Sequence, residues 1–282
     1  MTGTSGGAGG ARAARLRLAT VNGASGRDTP GGGYAADRLA EAVADLAADV
    51  VALQEVDHLL PRSGAVDQTA LVAAACARRT PGEDWWHRFT ATVHGTPGHP
   101  GDLRPATATD PAEPSYGTAL LTRLPVERVD ELRLGAGRAR LPLLLPAPAR
   151  GPRLVWIPDE PRVAVAAVLT GPAGPFTVVG THLSFSPPSS VRQLLAVRRW
   201  LAPFPRPLFL LGDLNLPPAA AQPLSGMTPL VTAPTFPAPD PRVQLDHVLA
   251  DGLTWPVRAA GAHRVGGSDH LGLVVELETP SP

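Results

Sequence analysis

The chain has 282 residues, 44% of them hydrophobic, enough to bury a sizeable core in one large domain or two small ones. Basic and acidic residues balance at 25 each, every basic one is arginine, and the pI is about 7.1, so no overall basic field exists to hold polyanions by counterion release. The one cysteine, Cys76, excludes an internal disulfide and a cysteine-built zinc site, and favours a reducing, cytoplasmic location. The opening MTGTSGGAGGARAAR lacks the apolar core of a secretory signal. No stretch reaches the roughly 18 to 20 apolar residues of a membrane span. Residues 1–14 read as a disordered tail and 15–279 as a single domain.

Arg15–Asn22 alternates, placing Leu16, Leu18, Thr20 and Asn22 on one face of a strand that ends polar. After a Gly-rich loop (23–33), Leu39, Val43 and Leu46 form the stripe of an amphipathic helix over 35–49. The strand Val50–Glu55 follows, with Val51, Leu53 and Glu55 pointing the same way. A second helix is expected over Thr69–Arg79, a strand within 84–95, a surface loop over 96–114 and a strand over Tyr116–Arg123. Prolines at 142, 146, 148 and 152 make 135–161 an edge or a loop. Val163–Leu169 and Phe176–Leu183 form a hairpin across Thr170–Pro175, longer than the tightest connections, with His182 at its far end. Ser190 and Gln193 have capping-box spacing for a helix that turns Leu194, Val197 and Leu201 inward. The stretch PLFLLGDLNLPP then runs an apolar strand into Asp213 and Asn215, followed by a Pro-rich loop (217–241), the strand Gln244–Leu249 and a last strand Leu271–Leu277. Strands outnumber helices, and both hairpin and helix-linked connections occur. That combination predicts an α/β fold of two mixed sheets flanked by helices.

One device recurs: a buried strand that stops at a polar side chain. It delivers Asn22, Glu55, His182, the Asp213/Asn215 pair and Asp246, while Asp269 and His270 stand just before the final strand. Taken singly, each has an ordinary explanation, and Gly-Asp with Asn-Leu-Pro is also plain turn chemistry. Taken jointly, if these strand ends meet at one rim of a sandwich, the rim holds four carboxylates, two carboxamides and two imidazoles.

The ordered segments LRLATVN, DVVALQEVD, YGTALLTR, VVGTHLSFSP, LFLLGDLNLPP, LDHVLADG and GSDHLGLVVEL resemble those of the endonuclease/exonuclease/phosphatase superfamily, the DNase I-like fold. The resemblance runs from residue 16 to about 277. It implies a four-layer α/β/β/α sandwich with a Mg²⁺-dependent phosphoesterase site at one rim, Mn²⁺ being the substitute cation. Carried over by position, it implies Glu55 as the main metal ligand, Asn22 beside it and Asp269 as a second metal-proximal carboxylate. Asp213 would activate the attacking water and Asn215 would hold phosphoryl oxygens. His270 would act as general base or hydrogen-bonder, oriented by Asp246, and His182 as general acid or phosphate ligand. Arg162 and Tyr116 stand where substrate contacts are expected, although Arg162 reads equally as a solvated arginine at a strand start. Two departures appear: Val21 replaces the usual tryptophan before Asn22, and no further ligand follows Asn22 directly, which argues against tight binding of two metals.

The chemistry of the residue types agrees, since a hard cation takes oxygen ligands and phosphoryl displacement needs charge neutralised on nonbridging oxygens. The implied substrate is a phosphodiester or phosphomonoester, a small molecule or lipid headgroup before a nucleic acid, because the arginines are scattered. A DNA or RNA nuclease is the alternative. A noncatalytic binding protein on the same fold is the third reading, and the intact Glu, Asp-x-Asn and Asp-His elements weigh against it.

Overall fold

Residues of the strand Ala14–Asn22 alternate between two cores: Leu16 and Leu18 enter one, Ala19 and Val21 the other. Leu208–Asp213 does the same, with Phe209 and Leu211 in the shared core and Leu208 and Leu210 in a third. Strands apolar on both faces need cover on both faces. The computed structural model, which describes residues 14–28, 33–97, 103–137, 140–145, 153–171 and 173–280, supplies that cover in four layers. The expected disordered tail lies outside the described residues except for Ala14.

A seven-stranded sheet has the order Val257–Arg264, Leu271–Thr279, Ala14–Asn22, Val50–His58, Ser115–Thr122, Trp86–His94, Arg104–Pro105. A six-stranded sheet has the order Thr228–Pro229, Asp246–Asp251, Leu208–Asp213, Gly174–His182, Arg162–Gly171, Val126–Leu134. Each contains one parallel pair, joined by a helical crossover. Ala14–Asn22 and Val50–His58 are linked by helix Ala36–Ala44, and Gly174–His182 and Leu208–Asp213 by helix Pro187–Trp200. The sheets face each other across Leu18, Ala52, Leu120, Phe176, Val178, Phe209, Leu211 and Val248. Leu39 and Val43 of the first helix and Val72 and Cys76 of helix Gln68–Arg79 cover the outer face of one sheet. Leu194, Val197 and Leu201 cover the other, as their spacing predicts. Among the described residues no helix is long and apolar enough to cross a membrane.

Several elements depart from the expectations. Residues 135–161 contain two strands, Arg140–Leu145 and Arg153–Pro158, which among the described residues pair only with each other in a two-stranded sheet. The hairpin strands run on to Gly171 and Gly174, so the connection is the tight two-residue kind. Helix Pro187–Trp200 starts a turn before the capping-box spacing places it, because Pro187 and Pro188 occupy positions where no N–H is needed. Ser190 Oγ instead donates to the Pro187 carbonyl, and Gln193 Oε1 accepts from Ser184 N. The Pro-rich stretch 217–241 holds a helix, Pro218–Ser225, for the same reason. Two long strands were not anticipated. Val126–Leu134 and Val257–Arg264 are sheet members with a largely solvated face, and their sequences VERVDELRL and VRAAGAHR carry no clean apolar alternation.

Candidate active site

The strand registers bring the polar ends to one rim. In the six-stranded sheet His182 is paired with Asp213, and Asp213 with Asp246, a row of three across adjacent strands. In the seven-stranded sheet Asn22 is paired with Gln54, next to Glu55, and Asp57 with Tyr116. By alternation Asn22, His182, Asp213 and Asp246 continue the rows that point between the sheets.

Glu55 does not follow that rule. Val51 and Leu53 face the helices, and an unbroken strand would send Glu55 with them. Instead the pairing shifts between Gln54 and Val56, Glu55 takes φ 54°, and Val56 returns to the helix side. The expectation that Glu55 shares the Val51/Leu53 face is therefore corrected: a β-bulge re-aims its carboxylate toward the rim.

One amide bridges carboxylates of the two sheets at that rim. Asn22 Nδ2 donates to Glu55 Oε1 at 3.1 Å and to Asp213 Oδ2 at 3.2 Å, and its Oδ1 accepts from Ala24 N. The amide thus presents its nitrogen to the carboxylates while its oxygen is committed to the backbone. Asp213 Oδ1 accepts from Asn215 N at 2.9 Å, closing a turn in which Asn215 adopts φ 51°. Asn215 Nδ2 donates to the Leu183 carbonyl and lies 3.3 Å from His182 Nε2. Asp213 Oδ2 is 3.6 Å from His182 Nε2 and 3.9 Å from His270 Nδ1. His270 Nδ1 donates to Asp246 Oδ2 at 2.8 Å, and Phe236 packs against the imidazole at a centroid distance of 4.9 Å. Ser268, which residue spacing did not single out, accepts from His270 N and donates to the Asn22 carbonyl, so it ties the segment before the last strand to the end of its neighbour in the seven-stranded sheet.

The model of the endonuclease/exonuclease/phosphatase family matches residues 19–270, a span that contains every one of these side chains. The chain belongs to that family. Family members hydrolyse phosphate esters, which sets the reaction class, and the fold typically works with a divalent metal. Solved structures of the family share the architecture. A family member from Beutenbergia cavernae DSM 12333 is 23% identical over 95% of this chain and 72% of its own, with TM-score 0.63. A mannosyl-6-phosphatase from Bacteroides thetaiotaomicron VPI-5482 is 14% identical, covering 93% and 99%, with TM-score 0.57. The human Nocturnin catalytic domain is 17% identical, covering 93% of each chain, with TM-score 0.58. No curated protein sequence matches.

The electrostatics of this endonuclease/exonuclease/phosphatase rim separate its titrating groups. Burial alone would lower the His270 pKa, yet the hydrogen bond to Asp246 and the charges of Asp246, Asp213 and Asp269 raise it to about 9, so the ring is an imidazolium at neutral pH. His182 goes the other way, held well below 6.5 by burial and by the positive charges of Arg162 and His270. Burial and the Asp246 charge push Asp213 up to about 7 against His270 and the Asn215 and Asn22 donors. Glu55 is raised by burial and by the charge of Asp269, against the lowering effect of the Asn22 bond. Arg162 is 5% exposed, with Nη1 3.4 Å from His182 Nδ1 and a buried Nε that has no partner among the described residues. It is a buried cation at the rim, not a solvated strand start. Tyr116 is nearly buried, and its phenol, raised well above 10 by burial and by Glu55, stays protonated. Asp269 stands exposed at the mouth. All ten sequence-derived candidates therefore lie at one end of the sandwich. A cavity of about 620 Å³ lined by Glu83, Asp84, Trp86, Arg123, Glu127 and Arg128 sits at the other end of these strands, apart from all ten candidates.

Proposed function

We propose that the chain hydrolyses the phosphate ester of a small molecule at this rim, using a divalent cation, Mg²⁺ or Mn²⁺. The observation that carries the reading is the Asn22 amide, which draws Glu55 of one sheet and Asp213 of the other to a single point. The residues fit a hard cation. Glu55 Oε1 takes the Asn22 bond, no partner of Oε2 occurs among the described residues, and Asp269 stands close enough to act on Glu55 electrostatically. An oxygen-only pair that leaves room for water and substrate suits Mg²⁺. Asp213, Asp246 and His270 also place ligand atoms within 4.8 Å of one another, but the proton between His270 Nδ1 and Asp246 Oδ2 occupies that imidazole nitrogen, so this group is the poorer cation site. A cation at Glu55 and Asp269 would neutralise phosphoryl charge and lower the pKa of a bound water.

The chain's own groups supply the rest. The guanidinium of Arg162 and the amide of Asn215 bracket neutral His182 and offer donors to nonbridging oxygens. His270, charged and fixed in tautomer by Asp246, offers Nε2–H to charge developing at phosphorus. Asp213, with a pKa near neutral, accepts the proton of the attacking water. Support for a small substrate comes from the zero net charge and from the likeness to a mannosyl-6-phosphatase. A cytoplasmic setting accords with buried Cys76, whose thiol is pushed up to about 11 by burial and is inert there.

The test is a panel of p-nitrophenyl phosphate, bis-p-nitrophenyl phosphate, sugar and inositol phosphates, sphingomyelin, DNA and RNA, each with Mg²⁺ or chelator. Chelator-sensitive turnover of a small ester with shallow salt dependence is expected. Turnover confined to DNA or RNA, falling steeply with salt, would replace this reading with the nuclease.

A further inference from the structure

The chain contains only two tyrosines, and both pack on one guanidinium beside the rim. The Arg62 Cζ lies 5.7 Å from the ring centroid of Tyr34 and 5.7 Å from that of Tyr116. Arg62 is anchored from below. Its Nε and Nη2 grip both oxygens of fully buried Asp57 at 2.8 and 2.7 Å, and Nη2 also reaches Ser25 Oγ. Ser63 Oγ adds a third donor to Asp57, and Gln68 ties Asp57 N to the Ser25 carbonyl. This fork consumes one edge of the guanidinium. The other nitrogen, Nη1, has no hydrogen-bond partner among the described residues, in a side chain 19% exposed. The Tyr116 hydroxyl likewise has none among the described residues, and that ring sits against Glu55 and Arg162 electrostatically. Asp57 is two residues beyond Glu55 on the same strand, and Ser25 three beyond Asn22. The wall is therefore continuous with the scissile-phosphate site.

Three features fix what such a wall binds. Its charge cancels within the Arg62–Asp57 fork, so it favours neither a second anion nor a cation. Its free groups are the Nη1 hydrogens and phenols, all able to donate to oxygen. Its rings are spent on Arg62, and among the described residues the exposed large hydrophobics are only Val243 and Val257, so neither a stacking platform for a base nor an apolar bed for an acyl chain adjoins it. We infer that Tyr34, Arg62 and Tyr116 form a specificity subsite for the group esterified to the phosphate, and that this group is an uncharged, hydroxyl-rich one such as a sugar or another polyol. The inference rests on the phosphate-ester reading of the rim.

The measurement compares kcat/KM for glucose 6-phosphate with that for p-nitrophenyl phosphate in wild type, Tyr34→Phe and Tyr116→Phe. Both substitutions keep the ring on Arg62 and remove one hydroxyl. Loss of one such hydrogen bond amounts to about 3- to 10-fold, so the sugar-to-aryl ratio should fall by that factor in at least one variant, and in Tyr34→Phe the fall should come through KM with kcat held for the sugar ester. An unchanged ratio in both variants overturns the subsite, as does a wild-type preference for the aryl ester. Failure of wild type to hydrolyse either ester on any cation would instead remove the parent reading, so the two failures are distinguishable.

Discussion

Asp213 does two things with two oxygens. Oδ1 closes the turn to Asn215 N, while Oδ2 meets the Asn22 amide and faces both histidines. The turn reading and the catalytic reading of GDLN are thus both correct, each for one oxygen. Asp246 is simpler: it holds the His270 charge. Because the folded His270 pKa of about 9 exceeds the ordinary 6.5, its stabilisation is fully present below pH 6.5 and is lost as pH rises through 9. The shift sets an upper bound of about 3 kcal/mol. Asp213 acts in the same direction at lower pH, since a carboxyl raised from 3.8 to about 7 makes the ionised folded form less favourable across that window. Asp246→Asn removes the partner of His270 and one cause of the Asp213 shift. Thermal denaturation at pH 6 and pH 9.5 should show wild type losing stability between them and the variant changing much less. An equally steep loss in the variant would contradict the assignment. The histidine and both aspartates were legible in sequence because each ends or precedes an apolar run. Ser268 and Arg62 were not, because their partners lie far away in sequence at Asn22 and Tyr34 and no local period marks them.

At the scale of elements, the site depends on two irregularities in otherwise regular strands. One is the bulge at Glu55, which strict alternation misassigned: period two places a side chain on a face, but an extra residue reverses the face and leaves no compositional trace. The other is Gly212, with φ 153°, where an added Cβ would lie 1.9 Å from the Thr181 carbonyl oxygen. Glycine lets the Asp213 strand lie close against the His182 strand. Gly212→Ala must force backbone apart in the six-stranded sheet, with an expected cost of about 3 kcal/mol or more and loss of hydrolysis. Urea midpoints within experimental error of wild type would contradict that close approach. The amphipathic helices and the central strands were readable from periodicity, whereas the solvated strands Val126–Leu134 and Val257–Arg264 and the proline-led helix Pro218–Ser225 were not, since exposure and proline each erase the pattern being read.

For the whole molecule, one apolar layer between the sheets draws on both of them, from Leu16 to Leu277. We propose that residues 15–279 fold as a single domain, and circular dichroism and tryptophan fluorescence should report one coincident unfolding transition. Two separated transitions would divide the chain. The same interlock sets the site, because Glu55 and Asn22 come from one sheet and Asp213 from the other, so neither sheet alone assembles it. The most direct test of this account is hydrolysis of bis-p-nitrophenyl and p-nitrophenyl phosphate by wild type, Asp213→Ala and His270→Ala, with Mg²⁺ and with chelator. Turnover by wild type that disappears with chelator and drops about 10²-fold or more in each variant is the predicted result. Turnover that survives chelation and both substitutions would place the chemistry somewhere other than this rim.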